Sequence, residues 1–243
     1  MSAFVRCKSA VMVNIIFEDS FEGFLSALYW AFKNDIKNPI FLKAKKPSLF
    51  ETVKVEIEDD ILKKFKQMLD EETIELFYDC FCYDDEKAFS DTYRSFLFYL
   101  ENKHLKDVNQ DFIRNIIHYR KSVNRERHKY IGFLRFHQVD NILYAKFEPK
   151  HFLLDYLGEF FKRRYKEENF VIHDVKRKKA AVYHEKHLSI EAFDKEINIE
   201  KDTYQKLWKA FFEAVTIRER ANTRLQNHYA PKYFRKYMIE FDN

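Results

Sequence analysis

Apolar residues recur at helical spacing through most of the first half of the sequence. The clearest stripe runs from Phe21 to Phe32, where Phe, Leu and Tyr side chains return every three or four residues. A short apolar run at residues 13–17 precedes this stripe and predicts a strand. Similar stripes predict further helices at residues 60–69, 72–81, 86–100 and 111–129.

The start of the first helix has its own sequence signals. Asp19 and Glu22 are three residues apart, the spacing of a capping box, in which two side chains bind backbone N–H groups at a helix start. Gly23 lies in the first turn, where it costs up to about 1 kcal/mol relative to Ala. We therefore expect close packing at Gly23.

The periodicity changes after Lys129, where short alternating runs replace the helical stripes. The first two runs predict a β-hairpin and the next two a second strand pair. The predicted elements of this half are strands at 131–136, 142–147, 170–175 and 180–184 and helices at 151–165 and 203–215.

These elements predict an α+β fold, with a mostly helical N-terminal half and a small antiparallel sheet with packed helices in the C-terminal half. We expect a single domain at residues 12–243, helical over about 12–129 and sheet-containing over about 130–243. Residues 1–11 are interpreted as a leader or extension.

Composition narrows the class of protein without indicating a reaction. Hydrophobic residues make up 46% of the chain and only 3 Gly and 4 Pro are present, which is typical of a folded domain without long linkers. The 3 cysteines show no metal-binding spacing and indicate a reducing, cytoplasmic location. No apolar run reaches the roughly 20 residues of a membrane span, so no membrane association is expected.

The formal net charge is +4, but the charges are unevenly distributed. Residues 51–91 hold 14 acidic against 5 basic side chains, whereas residues 114–136 hold 7 basic side chains and one Glu. Residues 162–179 are also basic, with 8 basic against 3 acidic side chains. This asymmetry favours either a polyanionic partner for the second half or pairing between the halves.

Familiar catalytic signatures are absent from the sequence. It contains no P-loop, no Gly-rich dinucleotide turn, no G-x-S-x-G and no H-E-x-x-H. Cys80 and Cys82 alone are too few for an iron–sulfur cluster. We therefore predict no cofactor and assign no metal ligands, and any radical chemistry would have to come from another protein.

Three histidines near acidic residues are the candidates for acid–base chemistry. His173 and Asp174 are neighbours on a predicted strand, so their side chains point to opposite faces and cannot form a dyad with each other. The set is compatible with an acid–base or metal site built from separate elements, and also with ordinary half-buried polar residues. The candidate catalytic residues are Glu126, His128, His151, His173 and Asp174.

The segment at residues 216–237 concentrates cationic and aromatic side chains. Arg and Lys bind phosphates, and aromatic rings stack on unpaired bases, so this mixture is typical of nucleic-acid binding. A solvated terminal segment whose rings pack on the core is the alternative interpretation. The candidate nucleic-acid-binding residues in this segment are Arg218, Arg220, Arg224, Lys232, Tyr233, Arg235 and Lys236.

Five blocks of the sequence stand out in order: E-D-S-F-E-G-F-L at 18–25, E-R-H-K-Y-I-G-F-L-R-F at 126–136, F-E-P-K-H at 147–151, F-V-I-H-D-V-K-R at 170–177, and R-A-N-T-R-L-Q at 220–226 with P-K-Y-F-R-K-Y at 231–237. In this order they resemble the blocks of a bacterial family of domains of unknown function whose members are labelled probable DNA metabolism proteins. The sequence departs from that family at Glu18-Asp19, where the family usually has Asp-Gly, and at Phe170 and Phe234, where it usually has Trp.

The resemblance implies an accessory role in DNA metabolism or repair beside a radical-SAM protein encoded nearby. It adds Arg135, Asn222 and Gln226 to the candidate nucleic-acid-binding residues, because they occupy characteristic positions of the family. The resemblance assigns no chemical role to any single residue.

Three functional hypotheses remain open from the sequence. The leading one is a cytoplasmic accessory protein that binds DNA and acts with a radical-SAM partner. The second is an enzyme acting on nucleic acid through the acid–base or metal site described above. The third is a protein-interaction scaffold without catalysis, which would present an exposed apolar patch.

Overall fold

The computed structural model describes residues 12–43, 51–195, 197, 210 and 223–238. The chain divides into two compact units, with the boundary between Val123 and Asn124. The predicted leader at 1–11 lies outside the described residues, as does the predicted helix at 203–215 apart from Ala210. No helix in these ranges is both long and apolar enough to cross a membrane. The prediction of a single domain stays a prediction.

The first unit is mostly helical, as predicted, but it also contains a small parallel sheet in the order β2-β1-β3. Only β1 is expected from the sequence. Helix α5 starts in this unit and continues into the second. The elements are β1 (Val13–Ile16), α1 (Phe21–Lys33), β2 (Pro39–Leu42), β3 (Glu51–Lys54), α2 (Ile61–Met68), α3 (Glu71–Tyr83), α4 (Glu86–Asn102) and α5 (Asp111–Phe133).

The cap of α1 differs from the predicted capping box by one residue. Ser20, not Asp19, is the N-cap, and its hydroxyl accepts a hydrogen bond from the Gly23 N–H at 3.1 Å. Asp19 instead pairs with Lys43 at 2.8 Å. The expected close packing at Gly23 is confirmed, because a Cβ there would lie 2.4 Å from the Glu18 carbonyl oxygen.

Phenylalanine rings form the core of the first unit. Phe24, fully buried on α1, contacts the rings of Phe17, Phe41, Phe81 and Phe89 at centroid distances of 5.0–6.1 Å. Aromatic pairs of this kind contribute about 0.5–1.5 kcal/mol each beyond their burial. The centre of the predicted stripe, with Phe24, Leu25 and Leu28, thus corresponds to the packed face of α1, whereas Phe32 at its end is 40% exposed.

The second unit contains a five-stranded sheet in the order β4-β5-β6-β7-β8. Strands β5 and β6 are parallel and are joined through α6, while the other three pairs are antiparallel. The elements are β4 (His137–Val139), β5 (Ile142–Phe147), α6 (Leu154–Arg164), β6 (Phe170–Asp174), β7 (Lys179–His184), β8 (His187–Ala192), α7 (Thr223–Tyr229) and α8 (Lys232–Arg235).

The predicted strand at 131–136 is wrong, because α5 continues to Phe133. Tyr130 and Leu134 are both buried, and the Leu134 N–H donates to the Tyr130 carbonyl at 2.9 Å, a helical hydrogen bond. An alternating run of six residues also fits the i, i+4 spacing of a helix, and here the burial of Tyr130 and Leu134 decides between the two. The hairpin therefore begins later, at His137, and turns at Asp140 and Asn141.

Candidate functional site

Residues 148–151, in the loop between β5 and α6, bind the candidate residue Glu126 through their backbone. Glu126 lies on α5 and is 7% exposed, and its two carboxylate oxygens accept from the N–H groups of Lys150 and His151 at 2.8 and 2.9 Å. Burial raises the pKa of Glu126, although these hydrogen bonds and the charge of Arg177 act in the opposite direction. The Glu126 carboxylate is therefore engaged in fixing irregular backbone.

Asp174 acts on the same loop through Arg177. The Asp174 side chain is fully buried, and one of its oxygens lies 2.9 Å from Arg177 Nη1. The Arg177 guanidinium in turn donates to the carbonyls of Pro149 and Lys150 at 3.2 and 2.9 Å. Burial raises the pKa of Asp174, and the adjacent Arg177 opposes that rise. Two buried carboxylates thus position one loop, one through its N–H groups and the other through its carbonyls.

The three candidate histidines lie in different surroundings. His128 is exposed on α5, and His151 is buried in the loop before α6, which starts at Leu154 rather than at His151 as predicted. His173 is buried, its Nδ1 lies 2.7 Å from the Tyr144 hydroxyl, and burial lowers its pKa. As expected for neighbours on a strand, His173 and Asp174 project to opposite faces of β6.

The described residues contain no group of three or more His, Cys, Asp or Glu side chains positioned to bind a metal. The 148–151 loop brings together Glu126, Asp174 and the backbone of His151. His128 is exposed and the His173 ring contacts Tyr144 instead. The catalytic role of these five residues stays a prediction.

The C-terminal segment binds the same loop at Glu148. The hydroxyls of Tyr130 and Tyr233 donate to the Glu148 carbonyl, the first at 3.0 Å. Lys236 Nζ and the Tyr237 hydroxyl both donate to Glu148 Oε1 at 2.5 Å. Hydrogen bonds from Lys236 and Tyr237 lower the pKa of Glu148, so its carboxylate is ionised.

A pocket opens beside Glu148, and we call it the cationic pocket. Three cations and one carboxylate line it, together with tyrosine hydroxyls. Its volume is about 30 Å³, which is room for about two water molecules and too little for a nucleobase. The lining residues are Tyr130, Phe133, Leu134, Arg135, Lys146, Phe147, Glu148, Tyr233, Phe234, Lys236 and Tyr237.

Three of the candidate nucleic-acid-binding residues, Arg135, Tyr233 and Lys236, line the cationic pocket. Arg135 Nη1 also donates to the Gly132 carbonyl at the end of α5, at 2.8 Å. Within the described part of the chain, none of the five acid–base candidates lines this pocket.

Three further nucleic-acid candidates within the described residues, Arg224, Lys232 and Arg235, do not line the pocket. Arg224 on α7 and Lys232 on α8 are exposed, and Arg235 is half-buried with its Nε donating to the Ala230 carbonyl at 2.7 Å. Arg218, Arg220 and Asn222 lie outside the described residues, and so does the side chain of Gln226.

Sequence reasoning does not single out Lys146, Glu148 or Arg177. Tyr144, Lys146 and Glu148 alternate along β5 and the residue after it, so a period of two would have placed them on one face. Arg177 follows Asp174 by three residues at a turn, a spacing that allows the ion pair. The contact of Glu148 with residues 233–237 has no local signal, because 85–89 residues separate the partners.

Comparison with known protein families gives a match. The profile of a family described as a domain of unknown function (DUF4130) matches residues 84–240, about two thirds of the 243 residues. No protein with a curated description matches the sequence.

Proposed function

The chain belongs to the DUF4130 family of domains of unknown function. We propose that it is an accessory protein of DNA metabolism or repair that binds DNA through its second unit. The observation that supports the proposal is the cationic pocket, where Arg135, Lys146 and Lys236 surround a single carboxylate. A cluster of cationic side chains binds phosphates, and the electrostatic attraction to phosphates dominates the affinity of proteins for nucleic acid.

Exposed tyrosine rings near the C-terminus support the proposal as well. Tyr229 is 68% exposed and Tyr233 is 50% exposed, high values for large aromatic side chains. Exposed rings stack on unpaired bases, and each such contact is worth about 1–3 kcal/mol. Because the cationic pocket is too small for a base, phosphates are its natural ligand, and bases would stack on the exposed rings of Tyr229 and, at the edge of the pocket, Tyr233.

A fluorescence-anisotropy titration of the full chain with labelled DNA tests this proposal. Each phosphate contact lowers the affinity about 3-fold between about 50 and 200 mM salt, so one phosphate bound in the cationic pocket should give at least this fall. Single-stranded and double-stranded probes are compared in the same series. Absence of binding to both probes at low salt would refute the proposal.

The proposal also includes a radical-SAM protein as partner and a cytoplasmic location. The partnership is supported by the resemblance of the sequence blocks. The location is supported by Cys80 and Cys82, which form no disulfide bond, as is usual in a reducing compartment. Pull-down of a purified radical-SAM protein encoded beside this chain, with an unrelated radical-SAM protein as control, tests the partnership. Equal retention of the two proteins would remove this part of the proposal.

The carboxylates of Glu126 and Asp174 are engaged with the backbone and the guanidinium that fix the 148–151 loop. Carboxylates with these partners stabilise the loop, and no contact among the described residues favours a substrate atom beside either of them.

A further inference from the structure

Lys146 is a half-buried cation of β5 whose ammonium group faces the ring of Tyr237, 5.4 Å from its centroid. In the part of the chain that the structure describes, no carboxylate lies within ion-pair distance of Lys146. Burying part of an ammonium group without an anion is unfavourable, and such a group favours an anionic ligand. Lys146 therefore indicates that the cationic pocket binds an anion.

Glu148 shows where such an anion would lie. Its Oε1 is held by Lys236 Nζ and the Tyr237 hydroxyl, at 2.5 Å in each case, inside the same pocket as Lys146 and Arg135. One carboxylate oxygen thus accepts two strong hydrogen bonds, an arrangement equally suited to a phosphate oxygen. We propose that the cationic pocket is a subsite for one phosphate group of nucleic acid, and that the Glu148 carboxylate occupies it in the unbound protein.

The Glu148 side chain can leave without moving the loop. It is 32% exposed, so rotation of the side chain brings its carboxylate into water rather than into the core. Its carbonyl stays bound to the hydroxyls of Tyr130 and Tyr233, and the following residues stay bound to Glu126 and Arg177. The space that the carboxylate vacates adds to the cavity, which by itself holds only about two water molecules.

Because a phosphate must first displace the Glu148 carboxylate, the affinity of the unaltered protein for DNA is lower than that of a protein without this carboxylate. The carboxylate and the phosphate oxygen compete for the same donors, Lys236 and Tyr237, so the phosphate gains only the difference between the two interactions. Removing the carboxylate charge while keeping the size of the side chain should therefore strengthen binding. This inference rests on the proposed function, since it names the group of the DNA that the pocket binds.

The test compares Glu148→Gln with Glu167→Gln in the full chain. Glu167 is a matched control, because it is an exposed carboxylate of the same unit that pairs with Lys186 at 3.7 Å and does not line the pocket. Both variants remove one negative charge, so any general electrostatic gain is common to them. We expect Glu148→Gln to bind a labelled single-stranded oligonucleotide about 5-fold more tightly, and Glu167→Gln to change affinity less than about 2-fold.

A double variant shows whether the gain comes from the pocket. Lys146→Gln added to Glu148→Gln should remove the gain, and urea unfolding of each variant shows whether the second unit stays folded. Equal effects of the two Glu→Gln changes, or weaker binding by a folded Glu148→Gln, would overturn the inference while leaving the proposed DNA binding intact. Binding by Glu148→Gln alone would support the phosphate subsite and refute DNA binding by the unaltered chain. Absence of binding in every variant would refute both.

Discussion

Both units of the protein bury carboxylates, but they use them differently. In the first unit Asp91 on α4 accepts from Lys87, Asn115 and Tyr119 at 2.8–2.9 Å, so it connects the side chains of two helices. In the second unit Glu126 and Asp174 bind, directly or through Arg177, the backbone of a loop.

This difference indicates where a function is expected. A carboxylate that connects regular elements contributes to stability alone, since its partners are side chains of the helices that it joins. A carboxylate that fixes irregular backbone also sets the position of whatever the loop bears, and here that is Glu148 beside the cationic pocket. Loops held by a rigid scaffold are common binding sites. The comparison therefore predicts that buried acids of the two units differ in their effect on DNA binding.

The largest effect is expected from Asp174→Ala. This change leaves Arg177, whose side chain is 12% exposed, without its buried carboxylate, and breaking a buried pair costs about 3–5 kcal/mol. The loop then loses fixed donors at two carbonyls, so DNA affinity should fall together with stability. Urea unfolding and anisotropy measure the two effects.

Asp194→Ala is the matched control for this change. Asp194 is exposed and pairs with Lys178 at 3.0 Å, so its removal should alter stability by less than about 1 kcal/mol. A similar small loss for Asp174→Ala would contradict the structural role of the buried pair.

A smaller effect, confined to stability, is expected from Asp91→Ala. The Tyr119 hydroxyl is buried and loses its acceptor, whereas Lys87 is exposed and can be hydrated, so the cost should be about 2 kcal/mol. DNA affinity of the folded variant should equal that of the unaltered chain. A loss of affinity comparable to that of Asp174→Ala would break the distinction between the two units.

The smallest effect is expected in the pH dependence of stability, to which Asp70 and Glu126 should contribute with opposite sign. Burial acts to raise the pKa of Asp70, but hydrogen bonds from Thr73 and Tyr99 outweigh it and hold that pKa below its ordinary value. For Glu126 burial prevails, and its pKa is raised. The folded state therefore favours the ionised form of Asp70 and the protonated form of Glu126.

The signs of the two dependences follow from linkage between proton binding and folding. The stability contributed by Asp70 is present above its unfolded pKa of about 3.9 and is lost as pH falls through the lower folded pKa. The contribution of Glu126 is greatest below its unfolded pKa of about 4.3 and declines as pH rises through the higher folded pKa. Urea unfolding from acidic to neutral pH, with Asp70→Asn and Glu126→Gln as references, should give difference curves of opposite slope. Slopes of the same sign would contradict these shifts.

The fold follows from the sequence where the pattern is local. The helices of the first unit and the pair β6–β7 are confirmed, because their apolar spacing is set within a few residues. Strands β2 and β3 are missed, since β2 starts with Pro39, and β3 is largely exposed and pairs with the distant β1. Such pairings depend on contacts that no local window contains.

The site is less accessible to sequence reasoning than the fold. Residue chemistry and the family blocks together name Arg135, Tyr233 and Lys236, which the structure brings to one pocket. The same reasoning treats Glu126 and Asp174 as acid–base candidates, because a carboxylate near a histidine looks the same in sequence whether it binds a substrate or a backbone N–H. The loop geometry that distinguishes these cases is visible only in three dimensions.

The most direct test of the account is the DNA affinity of Lys146→Gln compared with Lys186→Gln. Lys146 lines the cationic pocket, whereas Lys186 is exposed at the turn between β7 and β8 and pairs with Glu167. Both changes remove one positive charge from the second unit. The account predicts that Lys146→Gln weakens binding about 5-fold and reduces the salt slope by about one phosphate contact, while Lys186→Gln leaves both nearly unchanged. Equal affinities and slopes for the two variants would contradict it.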